Sequence, residues 1–347
     1  MADANANGGV AVAREAMATR FELVLPGRDE VRLRAAGEAA LDEIERLEAQ
    51  LSFYRADSEL TRLNRRAAQE PVQVEPQFFE LLERAQRIYE LTEGAFDPTI
   101  APLMRAWGFV GAAGRLPDPE RLETARAVSG MHLVRLNRSA RSVRFERPGV
   151  MLDLGAIGKG YAIERAAELL LDLGIVSAII HGGTSTVYAL GTPPDGGAWK
   201  VAVPKPAASP GGSLKSGVPG EPGLPLAVVS LRDQAMSISA VWGKAFESDG
   251  HVYGHVLDPR LGRPVAGAVM AAAVTTSATD ADAFSTALLV LGTSGFERLS
   301  RAEAVAGLLV VEPGVAAEPL RVSARGIAFE QVEQSGGVRS ASESASG

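Results

Sequence analysis

Three segments of the chain, far apart in sequence, carry the oxygen ligands, the cation and the glycines that binding of a diphosphate with a hard metal ion requires. They are Met151–Tyr161 (MLDLGAIGKGY), Gly254–Pro264 (GHVLDPRLGRP) and Thr279–Gly292 (TDADAFSTALLVLG). None of the three is decisive alone. Their joint presence predicts one site for a nucleotide that contains a diphosphate.

In the first segment, Asp153 ends a predicted strand and precedes a glycine loop that contains Lys159. Glycines let backbone N–H groups approach an anion closely, and the start of the next helix adds partial positive charge. The spacing matches neither G-x-G-x-x-G nor a Walker A sequence. A tight strand-to-helix turn with a surface lysine is the alternative interpretation.

In the third segment, Asp282 and Thr286 share one face of a predicted helix, near its N-terminal end. A carboxylate and a hydroxyl suit Mg²⁺, which takes few protein ligands and leaves positions for water or phosphate. The alternative is that Asp280 and Asp282 only complement the helix dipole. The spacing by itself favours this simpler alternative.

In the second segment, His255 precedes the sequence V-L-D-P-R. A histidine near an aspartate can act as a general base close to neutral pH, and Arg260 could hold a phosphate. The alternative is a loop histidine next to a turn that is closed by an Asp258–Arg260 salt bridge.

Three further loops contain residues that could contact a ligand. Tyr54 offers a ring that could stack on a planar group. Asp97 lies in the apolar turn 94–100, and the glycines of 181–184 follow a predicted strand, where ligands often bind. Each of these loops also fits an ordinary turn.

Composition excludes several classes of protein. The chain has 347 residues and a net charge of -7, which argues against a nucleic-acid-binding protein. It has no cysteine, so disulfides, zinc thiolate sites and cysteine nucleophiles are excluded. The sequence contains neither G-x-S-x-G nor H-E-x-x-H, which disfavours serine and zinc hydrolases.

The sequence also predicts where the protein is located. No apolar run approaches the roughly 20 residues of a transmembrane helix, and residues 1–17 lack the apolar stretch of a signal peptide. The chain as written is therefore predicted to be cytoplasmic. It would be exported or membrane-associated if an export signal had been removed.

Apolar periodicity predicts helices and strands without strict alternation, which favours an α+β fold with mixed sheets and packed helices. Helices are predicted at 37–51, 76–92, 119–128 and 280–291, and one more after the glycine loop. Strands are predicted at 20–25, 30–34, 133–136, 142–145, 150–154, 175–180, 199–203, 226–230, 269–276 and 308–311. Residues 16–330 are predicted to form one domain, with a flexible Pro/Gly-rich insertion at 204–225 and disordered tails at 1–15 and 331–347.

The sequence resembles the ApbE family, the FAD:protein FMN transferases. The matching stretches follow the family order: MATRFEL, SFYRADSELTRLN, GAFDPTIAPLMRAWGF, LDLGAIGKGYAIERAAELL, IIHGGT, GHVLDPRLGRPV and TDADAFSTALLVLG. The resemblance implies an ApbE-like FAD-binding catalytic domain in which Mg²⁺ lies at the FAD pyrophosphate. It further implies that FMN is moved onto a threonine or serine of an acceptor protein, such as a respiratory or electron-transfer subunit, and that AMP leaves.

The resemblance also implies roles for individual residues. Asp282, Thr286 and the Ala156 carbonyl match the metal ligands, and His255 matches the histidine proposed to activate the acceptor hydroxyl. Asp282 and His255 are therefore the expected catalytic residues. The expected contacts to FAD are Met17, Tyr54, Ala95, Phe96, Asp97, Asp153, Lys159, His255 and Val256.

The chain departs from the family pattern at a few positions. Ser285 stands where several members carry a second aspartate, so the site has one carboxylate fewer. Ala18 replaces a glycine, and residues 237–253 are less typical. Two other functions therefore stay open: a Mg²⁺-dependent FAD pyrophosphatase that gives FMN and AMP, and an FAD-binding protein without turnover.

Overall fold

The computed structural model describes residues 8–111, 114–206, 225–301, 305–313, 320–327, 329–332 and 338–340. Within them lie eight α-helices: α1 (Glu30–Leu51), α2 (Glu59–Arg66), α3 (Pro76–Leu91), α4 (Ala101–Ala106), α5 (Pro119–Ala127), α6 (Gly158–Asp172), α7 (Ala278–Leu291) and α8 (Gly295–Leu299). The strands of the same residues are β1 (Gly9–Ala16), β2 (Thr19–Pro26), β3 (Val72–Gln73), β4 (Val134–Asn137), β5 (Ser142–Phe145), β6 (Ala178–Gly182), β7 (Thr186–Leu190), β8 (Trp199–Val203), β9 (Ala227–Leu231), β10 (Gln234–Ala240), β11 (Ala245–Ser248), β12 (His251–Gly254), β13 (Leu257–Asp258), β14 (Arg263–Pro264), β15 (Met270–Thr275), β16 (Val305–Pro313), β17 (Leu320–Arg325), β18 (Phe329–Val332) and β19 (Val338–Ser340).

The main sheet has eight strands in the order β1-β2-β6-β7-β10-β15-β16-β17. Successive side chains of a strand point to opposite faces, and here both faces are covered. Ile180 and Ala271 face the helices α1, α6 and α7, whereas Ile179 and Met270 face the layer that contains β8 and β9. This arrangement of several sheets with packed helices confirms the predicted α+β fold.

Four smaller sheets complete the described structure: β19-β18-β9-β8, β3-β5-β4, β11-β12 and β13-β14. The hairpin β11–β12 ends immediately before His255, and β13 follows two residues later. These two short sheets therefore set the position of the second sequence segment.

The sequence-based prediction of a disordered tail at 1–15 is wrong for Gly9–Glu15, which lie in β1. That strand pairs with β2 along its whole length, and it buries Val10 and Val12 on the core side. The short alternation was too close to the chain terminus to be recognised as a strand. Residues 1–7 lie outside the described residues.

The predicted disordered tail at 331–347 is likewise wrong for its residues in β18 and β19. These two strands pair with each other, and β18 also pairs with β9. The other predicted tail residues, 333–337 and 341–347, lie outside the described residues. Most of the predicted insertion at 204–225 does so too, namely residues 207–224.

Two other elements differ from their predictions. Residues 30–34 open helix α1 instead of forming a strand, since the Asp29 side chain accepts from the Arg32 N–H at 3.1 Å and caps the helix. Residues 150–154 form no regular strand. The Asn64 side-chain amide instead holds Leu152, accepting from its N–H at 2.8 Å and donating to its carbonyl at 2.9 Å.

In the part of the chain that the structure describes, none of the helices combines the length and the apolar character needed to cross a membrane.

Candidate active site

Helices α6 and α7 meet at Gly160, where the glycine loop touches the third sequence segment. A Cβ atom at this position would lie 2.1 Å from the Ala278 carbonyl oxygen and 2.7 Å from the Asp282 Cβ. Only glycine fits so close a contact. The Gly160 N–H donates to the Asp282 Oδ2 at 2.9 Å, so the absent side chain is what brings the carboxylate to the loop.

The Ala156 carbonyl precedes helix α6, whose first residue is Gly158. The first N–H groups of a helix have no partner within it, and that of Gly160 is taken by Asp282. The first bond of α6 runs from the Tyr161 N–H to the Ile157 carbonyl at 3.0 Å, so the Ala156 carbonyl lies outside the hydrogen bonds of the helix. Among the described residues no donor bonds to the Ala156 carbonyl, so its oxygen is free to act as a ligand.

Asp282 is a buried carboxylate, with only 3% of its surface exposed. Its described contacts are neutral: the Gly160 amide at 2.9 Å and the Ser237 hydroxyl at 3.4 Å. No lysine, arginine or histidine of the described residues forms a salt bridge with it. Burying a charge without a counter-charge is costly, so a cation bound beside this carboxylate would offset that cost.

The donor set suits a small, hard cation. The Thr286 hydroxyl lies on α7 one turn after Asp282 and donates to the Asp282 carbonyl at 3.4 Å. Carboxylate, carbonyl and hydroxyl oxygens are the ligands that Mg²⁺ takes in proteins. Within the described residues there is no group of three or more His, Asp or Glu side chains that could hold a metal.

A chain of hydroxyl groups borders this donor set, and the sequence analysis missed most of it. The Ser239 hydroxyl lies 3.0 Å from that of Thr286 and 2.8 Å from that of Ser285. Ser237 links Asp282 to Thr186, whose hydroxyl is 2.9 Å away. These serines lie on β10, and no sequence pattern predicted that β10 packs against the polar face of α7.

Ser285, the position at which the family resemblance implies a second aspartate, is fully buried. Its hydroxyl donates to the Asp282 carbonyl at 2.9 Å and meets that of Ser239. The side chain therefore serves as a hydrogen-bonded link between α7 and β10.

The His255 imidazole has a defined tautomer. Its Nδ1 lies 3.1 Å from the Lys244 carbonyl, which can only accept, so Nδ1 carries the proton and Nε2 is left as the acceptor. Burial lowers the pKa of His255. The backbone hydrogen bond opposes this shift, whereas the charges of Lys244 and Lys159 strengthen it. The ring is therefore neutral near pH 7, as a general base must be.

A cluster of aromatic rings packs around the hairpin that ends just before His255. Phe246 and Tyr253 stack across β11 and β12 with ring centroids 5.2 Å apart, and the Trp107 ring lies 5.6 Å from that of Tyr253. Phe109 meets the His255 ring edge-on at 6.5 Å. Sequence reasoning did not assign these aromatic residues, because their contacts join segments more than a hundred residues apart.

Asp153 and Lys159 lie on either side of the glycine loop. Asp153 Oδ1 accepts from the Gly155 N–H at 2.8 Å. Burial raises the pKa of Asp153, although the Gly155 hydrogen bond and the Lys159 charge oppose the shift. Lys159 Nζ has one weak contact, 3.4 Å from the Gly155 carbonyl, so this ammonium can reach an anion at the loop.

Tyr54 is 71% exposed as a residue. Partial burial of its phenol and the nearby Asp153 carboxylate raise the pKa of this phenol. An exposed aromatic ring beside the glycine loop is available for stacking on a ligand. The structure thus brings Tyr54 and Lys159 near the same carboxylate, that of Asp153.

Asp97 is 8% exposed, and its Oδ1 accepts from the Thr99 N–H at 2.8 Å and from the Thr99 hydroxyl at 2.6 Å. Burial raises the pKa of Asp97 to about 6, against these hydrogen bonds. Ala95 and Phe96 point into the core. The turn lies beside the glycine loop, because the Pro98 carbonyl accepts from the Asp153 N–H at 2.7 Å.

Of the remaining predicted residues, Met17 lies in the two-residue turn between β1 and β2, with φ of 50°. Val256 is half-buried, and its carbonyl accepts from the Val265 N–H at 3.0 Å. Their contacts to a ligand stay predictions. The Arg260 guanidinium forms two hydrogen bonds with Asp258, at 3.0 and 2.8 Å. The salt bridge that the alternative interpretation of that turn predicts is therefore present.

Comparison with known proteins agrees with the geometry. Residues 17–309 match the ApbE family. The chain is 32% identical over 273 residues to the FAD:protein FMN transferase of Vibrio cholerae, covering 78% of this chain and 77% of that protein. It is 33% identical over 303 residues to the FAD:protein FMN transferase of Treponema pallidum, covering 82% and 81%. The crystal structure of the ApbE protein from Thermotoga maritima aligns with a TM-score of 0.78 at 27% identity, over 91% of this chain and 97% of that one.

Proposed function

This chain belongs to the ApbE family, and from that membership and the geometry of the site we propose that it is a Mg²⁺-dependent FAD:protein FMN transferase. The enzyme cleaves the diphosphate of FAD and joins the FMN phosphate to a threonine or serine hydroxyl of an acceptor protein, and AMP leaves. One observation supports the metal dependence: the buried Asp282 carboxylate has no cationic partner among the described residues and bonds to Gly160 at the start of the helix that Ala156 precedes.

His255 supplies the base of the proposed reaction. Its Nε2 accepts the proton of the acceptor hydroxyl while the hydroxyl oxygen attacks the phosphorus on the FMN side. The bond between that phosphorus and the bridging oxygen breaks, and the electron pair leaves with AMP. The Lys244 carbonyl keeps the proton on Nδ1, so Nε2 is always the atom that receives the new one.

Asp282, Thr286 and the Ala156 carbonyl would hold the Mg²⁺, which supplies neutralisation of the charge on the phosphate oxygens. Lys159 and the amides of the glycine loop bind the diphosphate from the other side. Because the loop is fixed by the Gly160–Asp282 hydrogen bond, these donors need no reorganisation during the reaction.

The flavin and adenosine are assigned to the surrounding loops. Tyr54 offers its exposed ring for stacking, and Asp153 lies beside it. Met17, Val256 and the turn 95–97 are assigned to the same ligand on the basis of the family resemblance. The acceptor is proposed to be a respiratory or electron-transfer subunit.

The proposal is tested by mass spectrometry of an acceptor domain that carries the family's Asp-x-x-Ser/Thr motif, after incubation with the protein, FAD and Mg²⁺. A mass gain that matches FMN is expected with the wild-type protein and not with Asp282→Asn, which keeps the shape of the side chain but removes the charge. The surface variant Asp42→Asn serves as the matched control and should behave as the wild type. Release of free FMN and AMP without acceptor labelling would establish a pyrophosphatase. Retention of intact FAD would establish a binding protein.

A further inference from the structure

A second polar cluster joins α6 to α7 one helical turn beyond the Gly160–Asp282 contact. Its members are Arg84 on α3, Glu164 on α6, and Ser277 and Asp280 at the start of α7. We call these four residues the α6–α7 clamp. None of them was a candidate ligand or base in the sequence analysis, and none belongs to the site described above.

Glu164 caps α7 from a neighbouring helix. Its Oε2 accepts from the Thr279 N–H at 3.0 Å and from the Ser277 hydroxyl. The first N–H groups of a helix have no partner within that helix. Ser277 is the local cap and accepts from the Asp280 N–H at 3.2 Å, so Glu164 adds a second, tertiary cap.

Arg84 connects the clamp to a third helix. Its Nη1 lies 2.6 Å from the Glu164 Oε1 and its Nε 2.7 Å from the Asp280 Oδ1, and it also donates to the Ser277 hydroxyl. Burial alone would raise the pKa of Glu164, but the Arg84 charge and the hydrogen bonds hold it below its usual value. One guanidinium thus fixes both helices through directed, charge-assisted bonds.

The position of the clamp gives it a consequence for the metal site. Glu164 follows Gly160 by one turn of α6, and Asp280 precedes Asp282 by two residues on α7. The Ala156 carbonyl is carried by the start of α6, whereas the carboxylate and the Thr286 hydroxyl are carried by α7. Any slip of one helix along the other therefore changes the distances between the ligands.

We propose that Arg84 and Glu164 are positioning residues for the metal site, because they fix the register of α7 against α6 and so the distances between the Ala156, Asp282 and Thr286 oxygens. This inference rests on the metal site of the proposed function. Mg²⁺ demands near-ideal octahedral geometry with short bonds, so small errors in register weaken its binding. Partners of this kind behind a metal site are typically worth about 10- to 100-fold in metal affinity.

The test measures metal binding without turnover. The melting temperature is recorded against MgCl₂ concentration with saturating FAD and no acceptor, and the apparent dissociation constant is taken from its rise. Arg84→Ala is expected to weaken Mg²⁺ binding about 10- to 100-fold, and Arg84→Lys less, since lysine keeps the charge but loses the planar fork. Glu164→Gln, which keeps an acceptor oxygen for Thr279, is the second route if Arg84→Ala does not fold.

Arg138→Ala is the matched control. Arg138 forms two hydrogen bonds at 2.9 Å with a single carboxylate, that of Glu83, the neighbour of Arg84 on α3, and neither bond involves α6 or α7. This variant should bind Mg²⁺ as the wild type does. Saturating Mg²⁺ should restore the turnover of Arg84→Lys, which a purely structural defect would not allow.

Two outcomes would overturn the inference. Arg84→Ala and Glu164→Gln could lower the melting temperature without FAD or metal and yet bind Mg²⁺ within twofold of the wild type, and the clamp would then be structural only. If the wild-type protein itself showed no Mg²⁺-dependent stabilisation, the metal site would be wrong, and the proposed function would fail together with the inference.

Discussion

Replacing Gly160 by alanine tests the geometry of the site most directly. The new Cβ would lie 2.1 Å from a backbone oxygen and 2.7 Å from the Asp282 Cβ, so α6 and α7 must separate. Overpacking of this kind costs about 1–3 kcal/mol, and weakening the amide–carboxylate bond costs about 1.5–3 kcal/mol more. Together these costs come to about 2.5–6 kcal/mol. For a chain of 347 residues this corresponds to a melting temperature lower by about 3–8 °C.

Separation of the helices would also move Asp282 away from the Ala156 carbonyl. Gly160→Ala should therefore lose most of its Mg²⁺-dependent stabilisation, beyond the loss of stability of the metal-free protein. Gly158→Ala is the matched control in the same loop, since its Cβ would meet only the Leu154 Cβ, at 3.9 Å. Both proteins are compared by thermal unfolding with and without MgCl₂. Wild-type stability and metal response in Gly160→Ala would refute the assignment of this contact.

Three further predictions concern other residues. Because His255 acts as a neutral base and burial lowers its pKa, transfer should be constant at neutral pH and fall only as the pH drops through a value below about 6.5. His255→Asn should abolish transfer but keep FAD binding in an equilibrium titration. At pH 8 the free energy of unfolding of Asp97→Asn should exceed that of the wild type by up to about 3 kcal/mol, which is measured as a higher melting temperature. At pH 4 this difference should be absent. The sign follows because the raised pKa, about 6, means that the folded protein binds the proton more tightly, so wild-type stability falls as the pH rises from about 4 to 6. Trp107→Ala should destabilise the protein by about 3–5 kcal/mol. It should also lower the turnover number more than the FAD affinity, because it removes the ring on which the hairpin before His255 packs. An equal loss of turnover and of FAD affinity would contradict this prediction.

From the sequence alone, candidate site residues could be named from local signals, whereas much of the architecture could not be predicted. The candidate residues lie next to glycines, turns or helix starts: Asp282, Thr286, Lys159 and His255. These signals are local in the sequence and do not depend on contacts between distant segments. The long amphipathic helices were predicted for the same reason, since Ile44 and Leu47 repeat on one buried face of α1.

What the sequence could not supply are the contacts between distant segments. The hydroxyls of Ser237 and Ser239 became part of the site only through the packing of β10 against α7. Apolar and polar residues alternate in 30–34 as they do in a strand. The segment is helical because Asp29 caps α1 and Leu33 is buried on the same face as the other apolar residues of that helix. Residues 150–154 bond to the Asn64 side chain and not to a neighbouring strand. No pattern within that segment predicts this contact.

The hairpin that precedes His255 has fewer strand partners than the elements that carry the proposed metal ligands. Among the described strands, β11 and β12 pair only with each other, whereas Asp282 and Thr286 lie on a helix that packs against β10 and β15 of the main sheet. Small elements with few partners open more easily than a sheet that is covered on both faces. Amide hydrogen exchange should therefore be fast in 245–254 and slow in α7 and β15. The proposed base would then sit on the most easily opened part of the site, while the metal ligands stay in place.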